Sequence, residues 1–136
     1  MTTHKQIYLN LPVKDLERSI AFFETLGYAF NPQFRDQNGA AMIINEDVGV
    51  MLLAERFFET LTPKSRADAK VANEVLVTVS HDSKASVDAL VEAAVAAGGR
   101  TLDAPKDHGF MYQWGFEDLD GHIWGHIWMA PSGAPG

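Results

Sequence analysis

Eighteen acidic residues, eleven basic ones, five histidines and no cysteine supply the reactive groups of this 136-residue chain. Without a thiol there is no disulfide, no thiolate zinc site and no cysteine nucleophile. Any metal would have to be held by His, Asp, Glu or Gln. His4 and His81 read as terminal and loop residues. His108 lies in Lys106-Asp107-His108-Gly109, a loop able to fold over a cleft mouth but equally suited to solvent. His122, Trp124 and His126 recur at i, i+2 and i+4 on one face of a strand. The two imidazoles are then about 13 Å apart along the strand, too far to share an ion. His122 reads as an anchor for the adjoining Asp120-Gly121 turn, and His126 as a packed or hydrogen-bonded side chain. The sequence holds no glycine-rich phosphate loop, no serine nucleophile elbow and no HExxH helix. A net charge of -7 offers no basic footprint for nucleic acid and favours solubility.

The polar start of the chain, 1–6, runs directly into a strand pattern and reads as neither signal peptide nor membrane span, so a cytoplasmic location is expected. Ile7, Leu9, Leu11 and Val13 alternate with Tyr8, Asn10 and Pro12, giving one aliphatic and one mixed face. Asp15 is placed to cap a helix carrying Leu16, Ile20, Phe23 and Leu26 on one stripe, with Gly27 as its stop. Strands are expected at 28–35, 40–45 and 48–54, broken by Gln37-Asn38-Gly39 and Glu46-Asp47. A short helix through Phe57, Phe58 and Leu61 ends before Pro63. After a linker at about 62–73 the pattern returns. Val75, Val77 and Val79 oppose Glu74, Leu76 and Thr78. Asp82 or Ser83 caps a helix with Val87, Leu90, Val91, Ala94 and Val95 on one side, and Gly98-Gly99 ends it. Strands are expected at 100–103, 110–117 and 122–129, then a flexible tail at 130–136.

Strand, capped helix, glycine and three strands therefore occur twice, a structural repeat within one domain over 1–136. Module one covers about 5–61 and module two about 74–129. The expected class is α+β: two βαβββ modules whose curved mixed sheets surround a cleft, with helices on the outer face. The faces opposite the helices carry the polar residues and should line that cleft.

Leu11-Pro12-Val13-Lys14-Asp15-Leu16-Glu17-Arg18-Ser19-Ile20-Ala21-Phe22-Phe23, followed by Leu26-Gly27-Tyr28, resembles the opening signature of a known superfamily. Phe116-Glu117-Asp118-Leu119-Asp120-Gly121-His122-Ile123-Trp124 resembles its closing signature. The family is the glyoxalase/bleomycin-resistance/extradiol-dioxygenase (vicinal oxygen chelate) superfamily. Leu119 departs from the usual proline of Asp-Pro-Asp-Gly, but Gly121 still supplies the positive φ of the turn. Signatures and repeat together span nearly the whole chain, and they identify a fold before any reaction.

The resemblance implies a divalent metal in many members, held by His, Glu or Gln from the first strand of each module and from the last strand. Carried over residue by residue, the first position is Tyr8, whose phenol, with an ordinary pKa of about 10, is a poor ligand. The second, counted back from Val79, is Glu74, a competent oxygen donor that also suits an exposed strand start. The third is Gly125, which has no side chain. One intact donor does not hold a transition metal tightly, so no metal and no other cofactor is expected.

The cleft face would then offer Tyr8, Asn10, Thr78, Leu76, Ile123 and Ile127 to a ligand. Tyr112 and Trp114 share one face of their strand and are expected to join them. Met42 and Ile44, or Met51 and Leu53, would add apolar lining. Each aromatic taken singly also suits an ordinary core. A buried Glu74 would have a raised pKa and could serve as a general base. The leading expectation is a metal-free protein that binds a small organic molecule, similar to the bleomycin-resistance branch. The alternatives are a metal-dependent glyoxalase-like lyase or extradiol-type dioxygenase, a metal-free isomerase using Glu74, or an assembly domain with a closed cleft. The resemblance also implies a homodimer. Nucleic acid and membrane are not expected partners.

Overall fold

Alternating aliphatic residues make 7–13 a strand with one face to cover, and Asp15 starts the helix that covers it. In the computed structural model, which describes residues 2–131, β1 is Ile7–Val13 and α1 is Leu16–Thr25. The Asp15 carboxylate accepts the Arg18 N–H at 3.2 Å, satisfying a donor of the first turn. α1 buries Leu16, Ser19, Ile20, Phe22 and Phe23. Its three fully enclosed large side chains, Ile20, Phe22 and Phe23, each contribute about 1.5–3 kcal/mol of burial.

Three strands follow: β2 (Ala29–Arg35), β3 (Gly39–Ile43) and β4 (Val48–Ala54). β3 stops at Ile43 because Asn45 turns the chain, its Oδ1 accepting the N–H groups of Asp47 and Val48 at 2.8 and 2.9 Å. The sheet order is β1-β4-β3-β2, with β1 and β4 parallel and the other pairs antiparallel. A short helix, α2 (Glu55–Phe58), continues into one 3-10 turn at Glu59–Leu61. Arg66 ties back to it through Glu55 at 3.0 Å and Glu59 at 3.3 Å.

Module two repeats this plan. β5 (Leu76–His81) leads into α3 (Lys84–Ala96), and Ser83 rather than Asp82 caps the helix, its Oγ accepting the Ser86 N–H at 3.0 Å. α3 buries Val87, Val91 and Ala94. β6 (Lys106–Asp107), β7 (Met111–Glu117) and β8 (Ile123–Met129) complete a sheet of order β5-β8-β7-β6, with β5 and β8 parallel. The result is two four-stranded mixed sheets with helices, an α+β architecture of two modules. The chain divides after Arg66 into two compact units, each carrying one module.

Two expectations change. The strand at 100–103 reduces to one bridge, Arg100 with Glu117, and the edge strand is instead Lys106–Asp107. The Asp103 carbonyl is taken by the Trp114 indole at 2.9 Å, and Pro105 has no N–H to give a ladder. Glu74 lies in a bend before β5, not within it, because β5 runs on to His81. The tail expected at 130–136 lies outside the described residues from 132 onward. Among the described residues no helix is long and apolar enough to cross a membrane.

The Asp118–Gly121 turn sets the register of β7 against β8. The Asp118 carboxylate accepts the N–H groups of Asp120 and His122 at 2.9 and 3.0 Å and the Trp124 indole N–H at 2.9 Å. Gly121 has φ 96°, and a Cβ there would stand 2.6 Å from the Lys70 nitrogen. Both facts demand glycine.

Candidate functional site

Strand pairing decides which side chains meet on each sheet. In module one, Tyr8 pairs with Gly49 and Asn10 with Met51, on the face opposite α1. This face is concave, with a cavity of about 470 Å³ lined by Tyr8, Asn10, Asn31, Phe34, Asn45 and Met51 among others. Tyr8 and Phe34 expose 52% and 59% of their surfaces. The Tyr8 ring lies against Gly49, where a Cβ would come within 3.1 Å of it. Among the described residues no charged side chain lines the cup.

The polar groups of the cup are partly committed. Tyr8 donates its hydroxyl to Gln6 Oε1 at 2.6 Å, and Gln6 Nε2 donates to the Glu46 carbonyl at 3.1 Å. Asn31 Oδ1 accepts the Gln33 N–H at 2.9 Å, and Asn45 Oδ1 holds its own turn. Among the described residues the Nδ2 donors of Asn31 and Asn45 meet no acceptor. Sequence reasoning found Tyr8, Asn10 and Met51 but missed Asn31, Phe34 and Asn45. These reach the cup through the β2–β3 and β3–β4 pairings, for which local periodicity gives no signal.

In module two, Leu76, Thr78, Ile123, Gly125 and Ile127 share the face opposite α3. Gly125 is packed against Thr78, whose Oγ1 would lie 2.9 Å from an added Cβ. Tyr112 and Trp114 are not with them. Their register partners are Trp128 and His126, on the α3 side. Tyr112 donates its hydroxyl to Asp88 of α3 at 2.5 Å, and that carboxylate pushes its pKa up to about 12. The expectation that both aromatics join Thr78 in the cleft is therefore corrected: the strand parity puts them under the helix. Glu74 is exposed and sits outside the sheet.

The three positions where the superfamily resemblance puts metal ligands can now be tested as a donor set. Tyr8 stands seven residues before its helix cap, Asp15, and the residue seven before Ser83 is Leu76, not Glu74. β5 carries two more residues past Val79 than the count from that valine assumed. Sheet register agrees, since Leu76 pairs with Ile123 and Thr78 with Gly125. A phenol, an alkyl chain and a glycine do not fit a divalent metal. Among the described residues no three His, Asp or Glu side chains gather as such an ion would need.

The α3 side of module two holds a polar chain. His126 is fully buried, its ring stacked on Phe116 at 5.4 Å. Its Nδ1 lies 2.8 Å from His81 Nε2, and His81 Nδ1 lies 2.7 Å from Ser86 Oγ. Among the described residues His126 Nε2, which is buried, has no partner. Burial, and then the charge of His81, pushes the His126 pKa down to about 3. Burial also lowers His81, against the opposing pull of Asp82. His81 is thus the end of a strand and half-buried, not a loop residue as its sequence context suggests. Lys84 stands above the rings of Tyr112 and Trp128 and pairs with Asp107 at 2.8 Å.

Comparison with known proteins agrees with this architecture. Residues 5–45 match a family described as bleomycin resistance protein-like N-terminal. No curated protein matches the chain. Among solved structures, a hypothetical protein from S. aureus is similar at 28% identity and TM-score 0.79, over 93% of this chain and 94% of that one. A glyoxalase-related enzyme from Fulvimarina pelagi aligns at 23% identity and TM-score 0.77, over 92% and 88% of the two chains. A glyoxalase/bleomycin resistance protein/dioxygenase from Nocardioides aligns at 24% identity and TM-score 0.74, over 100% and 90%. With its two βαβββ modules and its Asp-Gly closing turn, the chain has the fold of the glyoxalase/bleomycin-resistance/dioxygenase superfamily, and its residues 5–45 are similar to the bleomycin resistance protein-like N-terminal family.

Proposed function

We propose that the open face of the module-one sheet binds a small, uncharged organic molecule that presents oxygen acceptors, without help from a metal. The observation that carries this reading is the cup itself: about 470 Å³, within the usual range for ligand pockets, and lined without a charge. An ion entering it would lose hydration and meet no counter-charge. The open amide donors of Asn31 and Asn45 suit carbonyl or ether oxygens. The exposed faces of Tyr8 and Phe34 suit a flat ring, and Met51 adapts to its outline. Thr78, on the open face of the module-two sheet, is proposed as a ligand contact of that face taken by itself.

Flavone, neutral with one carbonyl and one ether oxygen, is a suitable probe, and 2-naphthoate is its anionic counterpart. Titration followed by amide chemical shifts should move Tyr8, Asn10, Asn45 and Gly49 with flavone and leave them still with 2-naphthoate. Gly49→Leu, which fills the cup, should abolish the flavone shifts. Equal response to the anion, or shifts confined to other surfaces, would remove the reading.

The same proposal takes the protein as a cytoplasmic homodimer that sequesters its ligand, following the habit of the superfamily. Sedimentation equilibrium giving the mass of one chain would remove the dimer. Nothing in the surroundings of Glu74 favours a general base, since it is exposed and outside the cup.

A further inference from the structure

Ser86 is exposed on the first turn of α3, and its hydroxyl is 2.7 Å from His81 Nδ1. His81 is held from behind by His126, at 2.8 Å on its other nitrogen. We propose that Ser86 and His81 form a nucleophile–base pair that attacks small activated esters at a surface separate from the cup, with His126 as the positioning residue. A nucleophile, a base within hydrogen-bond reach and a third group orienting the base are the parts such chemistry requires. Here they come from three elements: α3, the end of β5 and β8.

Each part has a physical reason for its place. Ser86 is the third residue of α3, where the partial positive charge of the helix start favours a developing oxyanion. Its backbone N–H is taken by the Ser83 hydroxyl, which fixes the turn beneath it. His126 is buried, neutral and stacked on Phe116, so it does not swing away. When it accepts at Nδ1, His81 carries its proton on Nε2, and His81 Nδ1 is left with a lone pair for the Ser86 hydroxyl. The charged groups around His81 are few. Asp82 adjoins it, His126 stays neutral, and the nearby Lys84 ammonium is held by Asp107.

The reaction is redox-neutral and needs only water. Ser86 Oγ bonds to the ester carbonyl carbon as its proton passes to His81 Nδ1. The bond to the leaving alkoxide breaks, and that oxygen takes the proton from His81. Water, deprotonated by the same nitrogen, then cleaves the acyl-serine to a carboxylic acid and restores the Ser86 hydroxyl.

The test uses the full chain, a fluorophosphonate probe and p-nitrophenyl acetate. Peptide mapping should find the phosphonyl group on Ser86, with labelling about 100-fold faster than at Ser65 or Ser80. Ser86→Ala, a surface change, should abolish both labelling and the acetate burst. His126→Leu should slow labelling about tenfold or more, and His126→Gln, which keeps an acceptor for His81, should restore it. The wild-type rate should rise with a midpoint below about 6.5 and level off by neutral pH, as His81 loses its proton. Label spread evenly over the serines, a rate that climbs with hydroxide and never levels, or a nitrogen-15 shift showing His81 protonated at Nδ1 at neutral pH would each overturn the proposal.

Discussion

Acidification from pH 7 to pH 5 should destabilise this fold through His126. The side chain is enclosed, stacked on Phe116 and faced by a second imidazole, so its folded pKa is pushed down to about 3. In the unfolded chain it returns to about 6.5. Between those values the unfolded state binds a proton that the folded state refuses. Stability is therefore complete above about pH 6.5 and is lost as pH falls toward 3. At pH 5 the difference amounts to about 2 kcal/mol from this one group. For a chain of this length that is a fall of about 7 °C in Tm. His81, also lowered by burial, adds to the loss in the same direction. Urea unfolding of the wild type and of His126→Gln at both pH values isolates the effect, because the carboxylates titrate alike in both proteins. The wild type should lose about 2 kcal/mol more than the variant between pH 7 and 5. Parallel losses, or an NMR titration of His126 with a midpoint near 6.5, would refute the reasoning.

Other changes have equally definite outcomes. Asp118→Ala strips acceptors from the His122 backbone N–H and the Trp124 indole, both buried, and should cost about 2–5 kcal/mol in urea unfolding. Asp118→Asn, which keeps one acceptor oxygen, should recover part of that loss. Gly27→Ala and Gly121→Ala share a positive φ, 98° and 96°, but only Gly121 faces backbone at 2.6 Å. The first should cost about 1–2 kcal/mol and the second clearly more, the excess in a thermal melt measuring the collision with Lys70. Glu74→Gln should change stability by less than about 0.5 kcal/mol and leave flavone binding untouched; loss of turnover on an identified substrate would instead restore a catalytic role for it.

Features that depend on neighbours a few residues away could be read from the sequence. The aliphatic alternation of 7–13, the Asp15 cap and the Phe23 stripe are local, and the structure carries all three. Features that depend on pairing between distant strands were not legible. Tyr112 and Trp114 share a face in any reading, but which face is settled only by Tyr112 meeting Trp128 and Trp114 meeting His126. Counting back from Val79 reaches Glu74, two residues short of the strand's true start, because His81 looks like a loop residue. His81 belongs to β5, where the buried His126, forty-five positions away, offers it a nitrogen. For the cup, Tyr8 and Asn10 follow from strand parity, whereas Asn31 and Asn45 arrive through a bulge and a turn.

Each module closes by setting its opening strand beside its final one, β1 along β4 and β5 along β8. A growing polypeptide therefore cannot finish either sheet until some forty residues of intervening chain have been made, and contacts of such long range slow the search for the native state. A fragment ending at residue 45, the limit of the recognised family segment, would strand β1 with its parallel edge bare. Dissection of this protein, whether by protease or by cloning, should respect whole modules: a cut after Arg66 spares both pairings, and a cut before Val48 sacrifices one.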